Sequence, residues 1–260
     1  LRANANEESF YAAMVSQANR QFASVLFARD FPASARLVTN GVEVPGAFTR
    51  GGWDFVLQGL ESARDFFQRD SWVVGPDFFA GIDPTAMAAS LRARYQQEYV
   101  QNWVRYLAGG RVANFPLGAA EGSLSELAGP RSPIFQMLDL ASRNTQVDSA
   151  LVGPSFQPLH AVKPPELTDR LFGEAAQPYL AKLGELAGAM GQLARNPGSP
   201  VAQEGATATA EGVQGEVNAL RLAFNTAPEG AVAVGTAIEG LLRAPVRYSQ
   251  SAIGGSGGSA

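Results

Sequence analysis

The stretch IDPTAMAASLRARYQQEYVQNWVRYL, residues 82–107, decides how the rest of the chain is read. Its opening predicts a helix start. Asp83 can accept a hydrogen bond from the first-turn N–H groups, and Pro84 stands at the first helical position, where a missing N–H costs nothing. Gly109 and Gly110 predict the stop, one of them in a left-handed turn. Between these ends Met87, Leu91, Tyr95, Tyr99, Trp103 and Leu107 recur every four residues, with Tyr106 beside them. A step of four overshoots one helical turn by about 40°, so the apolar row winds around the helix and must meet several neighbours. The expectation is the central post of a helical domain, its aromatics inside. An exposed aromatic platform for a sugar or other ligand is the competing reading, but aromatics at helical spacing are far more often core.

Upstream, Phe10, Met14, Ala18, Phe22, Val25 and Leu26 predict a first helix over 7–28, ended by Phe31-Pro32. The segment LVTNGVEVPGAFT, residues 37–49, carries the one good strand and turn signal. Asn40-Gly41 suits a tight turn and Val42 and Val44 a short strand, so a small β-hairpin or an extended crossover is expected there. Thr49 can cap a helix over 50–69, whose inner face includes Trp53, Val56, Leu57 and Leu60. The apolar connection 71–84 should tuck Trp72, Val73, Phe78 and Phe79 against the post.

Downstream, Ser123 and Glu126 have capping-box spacing for a short helix ending at Gly129-Pro130. Ser132-Pro133 repeats the cap-and-proline start, with Ile134, Phe135, Met137, Leu138 and Ala141 inward. Residues 149–165, SALVGPSFQPLHAVKPP, hold four prolines and no helical period, which marks a connector. Helical patterns resume over 171–195, 201–224 and 229–243, with Pro245 closing the last. The predicted fold is mainly α and bundle-like, with at most one short β-hairpin or crossover near 37–49. The predicted organisation is a helical core region over 1–148, a proline-rich connector over 149–170, a C-terminal helical region over 171–245 packing on the first, and a flexible Gly/Ser tail over 246–260.

The chemistry the sequence can offer is narrow. The chain has 260 residues, a net charge of -4 and 17% charged residues, against roughly 25% in an average soluble domain. That balance gives no reason to expect nucleic acid. No run approaches the ~20 apolar residues of a membrane span. With no cysteine and a single histidine, thiolate chemistry and multi-histidine zinc sites are out of reach. No GxGxxG or P-loop spacing is present. Asp77 and Asp83 flank an aromatic loop, but a solvated Asp77 and an N-capping Asp83 are the simpler reading. His160 lies among prolines without acidic neighbours. Arg94 and Glu98, one turn apart, read as a paired solvated face. No catalytic, cofactor or metal site is expected. The start LRANANEESF suggests a piece cut from a longer chain.

Four stretches in order carry a family resemblance: VPGAFTRGGW at 44–53, DSWVVG at 70–75, RYQQEYVQNWVRYL at 94–107 and LSELAGPRSPIFQMLDLASRNT at 124–145. Together they resemble the periplasmic helical region of the TssM/IcmF family, a membrane-complex subunit of the type VI secretion system. The resemblance implies a non-catalytic periplasmic scaffold of an inner-membrane-anchored protein. It would assemble with other copies of itself, with the outer-membrane lipoprotein TssJ (mainly through a C-terminal β domain that has no counterpart here) and with the inner-membrane subunit TssL. The residues that carry the motifs, Pro45, Gly46, Phe48, Thr49, Trp53, Trp72, Tyr95, Tyr99, Trp103, Ser132 and Pro133, are expected to be structural. The other class of function is a helical peptide- or peptidoglycan-binding module, using a groove near Trp72, Phe78 and Phe79.

Overall fold

In the computed structural model the described residues are 2–69, 84–224 and 229–256. The expected packing of Trp72, Phe78 and Phe79, the N-cap at Asp83 and the carboxyl of Asp77 lie outside them. In chain order the elements are α1 (Arg2–Gln21), α2 (Phe27–Asp30), β1 (Val38–Thr39), α3 (Arg50–Arg69) and α4 (Pro84–Gly109). They continue with β2 (Arg111–Val112), α5 (Leu117–Ala128), α6 (Pro133–Thr145), α7 (Val152–Ser155) and α8 (Gln157–Val162). The chain ends in three long helices, α9 (Gln177–Arg195), α10 (Pro200–Phe224) and α11 (Val232–Ser256). The fold is mainly α, as the periodicities predict.

α4 is the post. Leu91, Tyr95, Tyr99, Trp103, Tyr106 and Leu107 are each 1% exposed or less, because their row winds past α3, α6, α7 and α11 in turn. α9 packs between α5 and α10, and α11 lies against both α10 and α4. A single hydrophobic cluster joins residues from α1 to α11.

The start of α3 follows its sequence. The Thr49 hydroxyl accepts the N–H of Gly52 at 3.3 Å and donates to the carbonyl of Gly46 at 2.7 Å. At the other end of the post the glycines do a different job from the one expected. Neither Gly109 nor Gly110 has a left-handed φ. Both are small because neighbours press on them: a Cβ on Gly109 would lie 2.5 Å from Val42 Cγ2, and one on Gly110 2.4 Å from Met137 Cε.

Residues 37–49 form the extended crossover and not a hairpin. The Asn40 side chain does close a turn, taking the N–H of Val42 at 2.9 Å. The flanking segments, however, pair elsewhere. β1 runs antiparallel to β2 (Val38 opposite Val112), and Val44 exchanges two 2.9 Å hydrogen bonds with Val25. That bridge also explains why α1 stops at Gln21 instead of running to residue 28: Val25 must be extended to reach Val44.

Two other boundaries move, and one expected cap is not made. α5 begins at Leu117 behind Phe115-Pro116, leaving Ser123 inside the helix instead of capping it. α6 does start at Pro133, but the Ser132 hydroxyl makes no capping bond; it is buried with no partner among the described residues. Pro245 does not close the last helix, and α11 continues through it to Ser256. An internal proline costs roughly 3 kcal/mol or more, and burial of Val246 and Ile253 beyond it offsets that, with the buried Ser249 hydroxyl satisfied by donating to Pro245 O at 2.9 Å. Residues 246–256 are therefore helix, where a flexible tail was expected. The proline-rich stretch 149–170 likewise folds in part into α7 and α8, burying Val152, Phe156, Leu159 and Val162. Pro158 is accommodated in the first turn of α8, where no N–H is required.

Candidate functional site

The motif residues converge on one place, the crossover 44–53 and the face of α4 beneath it. Phe48 is stacked on Tyr95 with centroids 5.6 Å apart, and Trp53 meets Tyr99 edge-on at 5.0 Å. The polar tips of the aromatics are spent on main-chain carbonyls. Tyr95 donates its hydroxyl to Ala47 O at 2.6 Å, and Trp103 donates Nε1–H to Phe48 O at 2.8 Å. Tyr99 donates to the carbonyl of Asn144 at the end of α6. From the other side, Asn19 of α1 accepts the N–H of Ala47 at 2.8 Å, and Asn40 donates to Tyr106 O at 2.8 Å.

Buried backbone needs such partners, since an orphaned buried group costs about 1–3 kcal/mol. Burial also pushes the phenols of Tyr95, Tyr99 and Tyr106 well above the usual tyrosine range, so all three stay neutral. Tyr95 and Tyr99 donate as described, while the Tyr106 hydroxyl is buried with no partner among the described residues. Gly46 and Gly52 complete the fit. A Cβ on Gly46 would stand 1.9 Å from Phe22 O, and one on Gly52 2.2 Å from Gly46 O. Pro45, Gly46, Phe48, Thr49, Trp53, Tyr95, Tyr99 and Trp103 are thus parts of one pinned crossover. Ser132 and Pro133 stand apart, at the start of α6, and Trp72 lies outside the described residues.

The expected Arg94–Glu98 pair is present at 2.9 Å and extends to α1. Arg94 also meets Glu8, lies 4.1 Å from the Tyr11 ring centroid, and Tyr11 donates to Glu98 at 2.7 Å. The hydrogen bond from Arg94 holds the Glu8 carboxyl below its ordinary range. These contacts tie α1 to the post at its solvated edge.

Sequence reasoning missed the buried cation. Lys163 is 0% exposed; its Nζ lies 3.3 Å from Asp139 Oδ1 and donates to Pro164 O at 3.0 Å and to Leu167 O. Ser142 donates to Lys163 O at 2.6 Å, and Arg143 closes on the other carboxylate oxygen of Asp139 at 2.8 Å. The prolines around Lys163 gave a connector signal that masked it. The next residue of interest in that stretch, His160, faces Thr145 Oγ1 at 3.0 Å, and burial pulls its pKa down to about 4. It is a neutral ring held between α6 and α8. Among the described residues no His, Asp and Glu cluster is placed to hold a metal ion, and no helix is long and apolar enough to cross a membrane.

The model of the family described as "IcmF-related: Intracellular multiplication and human macrophage-killing" matches residues 1–146, which contain the whole pinned crossover. The chain belongs to the IcmF-related family. A solved chain of a "Type VI secretion system membrane core complex" shares its fold, with TM-score 0.65 at 18% identity over 96% of this chain. The IcmF-related chain spans 50% of that longer one. Comparison with curated proteins gives no match.

Proposed function

We propose that this IcmF-related chain is a non-catalytic scaffold module of the type VI secretion trans-envelope membrane complex. In this reading it lies on the periplasmic side, as part of an inner-membrane-anchored protein. It supports assembly with further copies, with an outer-membrane lipoprotein of the TssJ kind and with an inner-membrane subunit of the TssL kind. The family match over residues 1–146 carries the reading. The geometry supports it in one respect: aromatic and glycine residues that could have built a ligand site are used to lock a crossover onto a helix. A module held this way offers stiff helical surfaces.

The peptidoglycan-binding reading needs exposed aromatics. Its expected groove, near Trp72, Phe78 and Phe79, lies outside the described residues, and Trp53 and Trp103, at 3% and 0% exposed, are not available to it.

The test is site-specific photo-crosslinking of the full-length protein in its own cell envelope, from exposed apolar positions such as Leu151, Val201 and Leu222. Adducts to further copies, to a lipoprotein or to an inner-membrane subunit are expected. Recovery of the protein free of envelope subunits, in cells whose secretion does not depend on it, would sink the proposal.

A further inference from the structure

We propose that the groove between the C-terminal end of α4, β2 and α11 docks a protein segment carrying a carboxylate beside small apolar side chains. This stands apart from the secretion reading and uses none of its assumptions. The groove encloses about 460 Å³, within the range of small-ligand and peptide sites. Along α11 its floor is a row of small residues, Ala233, Ala237, Gly240 and Ala244, faced by Ala108 and Gly110 from the end of α4. Nothing lies within 4 Å of where a Gly240 Cβ would be. The floor is therefore open to an incoming chain. From Ala233 to Arg247 it is about 21 Å long at 1.5 Å per residue, the reach of roughly six extended residues.

The charge on this groove is one-sided. Arg111 and Arg247 are its charged lining residues, in a chain of net charge -4. Arg36, Arg92, Arg94, Arg195 and Arg243 each meet a carboxylate elsewhere on the molecule. Among the described residues neither groove arginine does, a trait they share with Arg20, Arg50, Arg105, Arg131 and Arg221; what sets the pair apart is that both line one groove with no acidic residue in it. Arg111 uses Nη1 on the carbonyls of Ala108 and Gly110, at 2.5 and 2.7 Å, which aims the guanidinium and leaves its other N–H groups for a ligand. Tyr248 donates to Val112 O at 3.2 Å and holds β2 against α11 beside Arg247.

A planar guanidinium grips a carboxylate through two parallel hydrogen bonds, and the gain grows where an apolar floor excludes water. A phosphate would engage the arginine end alone and leave the floor uncovered. An acidic, apolar peptide covers both.

The experiment pans a phage-displayed library of random 12-residue peptides against the full chain. Recovered peptides are then measured by fluorescence polarisation against the wild type, Arg247→Glu and Gly240→Leu. Circular dichroism checks that both variants remain folded; Arg247→Glu leaves the floor intact and so carries the test if Gly240→Leu does not fold. Enrichment of Asp or Glu next to Ala, Val or Leu is expected, with binding weakened at least about tenfold by either substitution. An unenriched library, binders lacking an acid, or affinity unchanged in the folded variants would overturn the proposal. Displacement of the peptides by millimolar inorganic phosphate or by phosphatidylglycerol vesicles would overturn it too, by assigning the arginines to a phosphate ligand.

Discussion

Trp103 gives the sharpest test of whether the post holds the crossover through its side-chain tips. The ring is fully buried, meets Tyr106 edge-on at 5.3 Å and donates Nε1–H to Phe48 O at 2.8 Å. Trp103→Ala removes the ring and opens a cavity, a change that costs ~3–5 kcal/mol in well-packed cores. It also orphans the Phe48 carbonyl, which pushes the loss toward the upper end of that range. Trp103→Phe separates the two effects. It keeps much of the ring contact but leaves the carbonyl without a donor, for an expected loss of about 1–3 kcal/mol. Urea unfolding followed by far-UV circular dichroism measures both, without relying on the fluorescence the substitutions remove. At an m-value of ~2–3 kcal/mol per molar, the alanine variant should lower the midpoint by roughly 1–2 M. A loss below about 1 kcal/mol for Trp103→Ala would refute the buried post. A harmless Trp103→Phe would refute the role given to the indole N–H.

Three further outcomes follow from the same contacts. Gly46→Ala places a Cβ 1.9 Å from the Phe22 carbonyl oxygen, a backbone atom held by the α1 end and the Val25–Val44 bridge. A thermal unfolding scan should show a loss of about 3 kcal/mol or more, larger than an ordinary overpacking change. At the buried ion pair, Asp139→Asn strands the Lys163 ammonium on two carbonyls and should cost about 3 kcal/mol in urea unfolding. Lys163→Met should cost less, because Asp139 keeps Arg143 at 2.8 Å; the reverse ranking would mean the carbonyls alone satisfy the cation.

His160 predicts a pH effect of defined sign. Its folded pKa is depressed to about 4 by burial, below the ordinary value of 6.5, so the unfolded chain takes up a proton that the folded one refuses. Stability should be whole above pH 6.5 and fall as the pH drops toward 4, by at most about 3 kcal/mol for a shift of this size. Midpoints for the wild type and His160→Gln across that window isolate the effect from the carboxylates; equal slopes would remove it.

Much of the fold was legible because its signals are local. The Thr49 cap, the four-residue aromatic row and the Ser132-Pro133 start are statements about one turn of chain, and α3, α4 and α6 begin at or beside those marks. What escaped depends on partners far away in sequence. Nothing in Val38 or Val44 names Val112 or Val25 as its pair, so the same residues serve a hairpin or a crossover equally well. α8, at six residues, is too short to display a period. Pro245 reads as a stop unless the burial of Ile253 beyond it is known. The site was legible to the same degree. Tyr95 and Trp103 could be read as core, but not that their polar tips would close on Ala47 and Phe48. Lys163 could not be read as buried, because its carboxylate partner comes from α6.

The pinned crossover has a consequence for the order in which the chain is made. Trp103 follows the carbonyl it holds by 55 positions, and Tyr95 follows Ala47 by 48. At ~5–20 residues per second of synthesis, the crossover leaves the ribosome roughly 3–11 s before its last anchor. During that interval Val44, Ala47 and Phe48 have only α1 and the start of α3 to lie against. Nascent chains stalled before residue 95 should therefore be cut readily by protease at 40–53, and chains stalled well beyond α4 should resist. The helix that stiffens the finished module is also the clock that sets how long its motif segment is exposed.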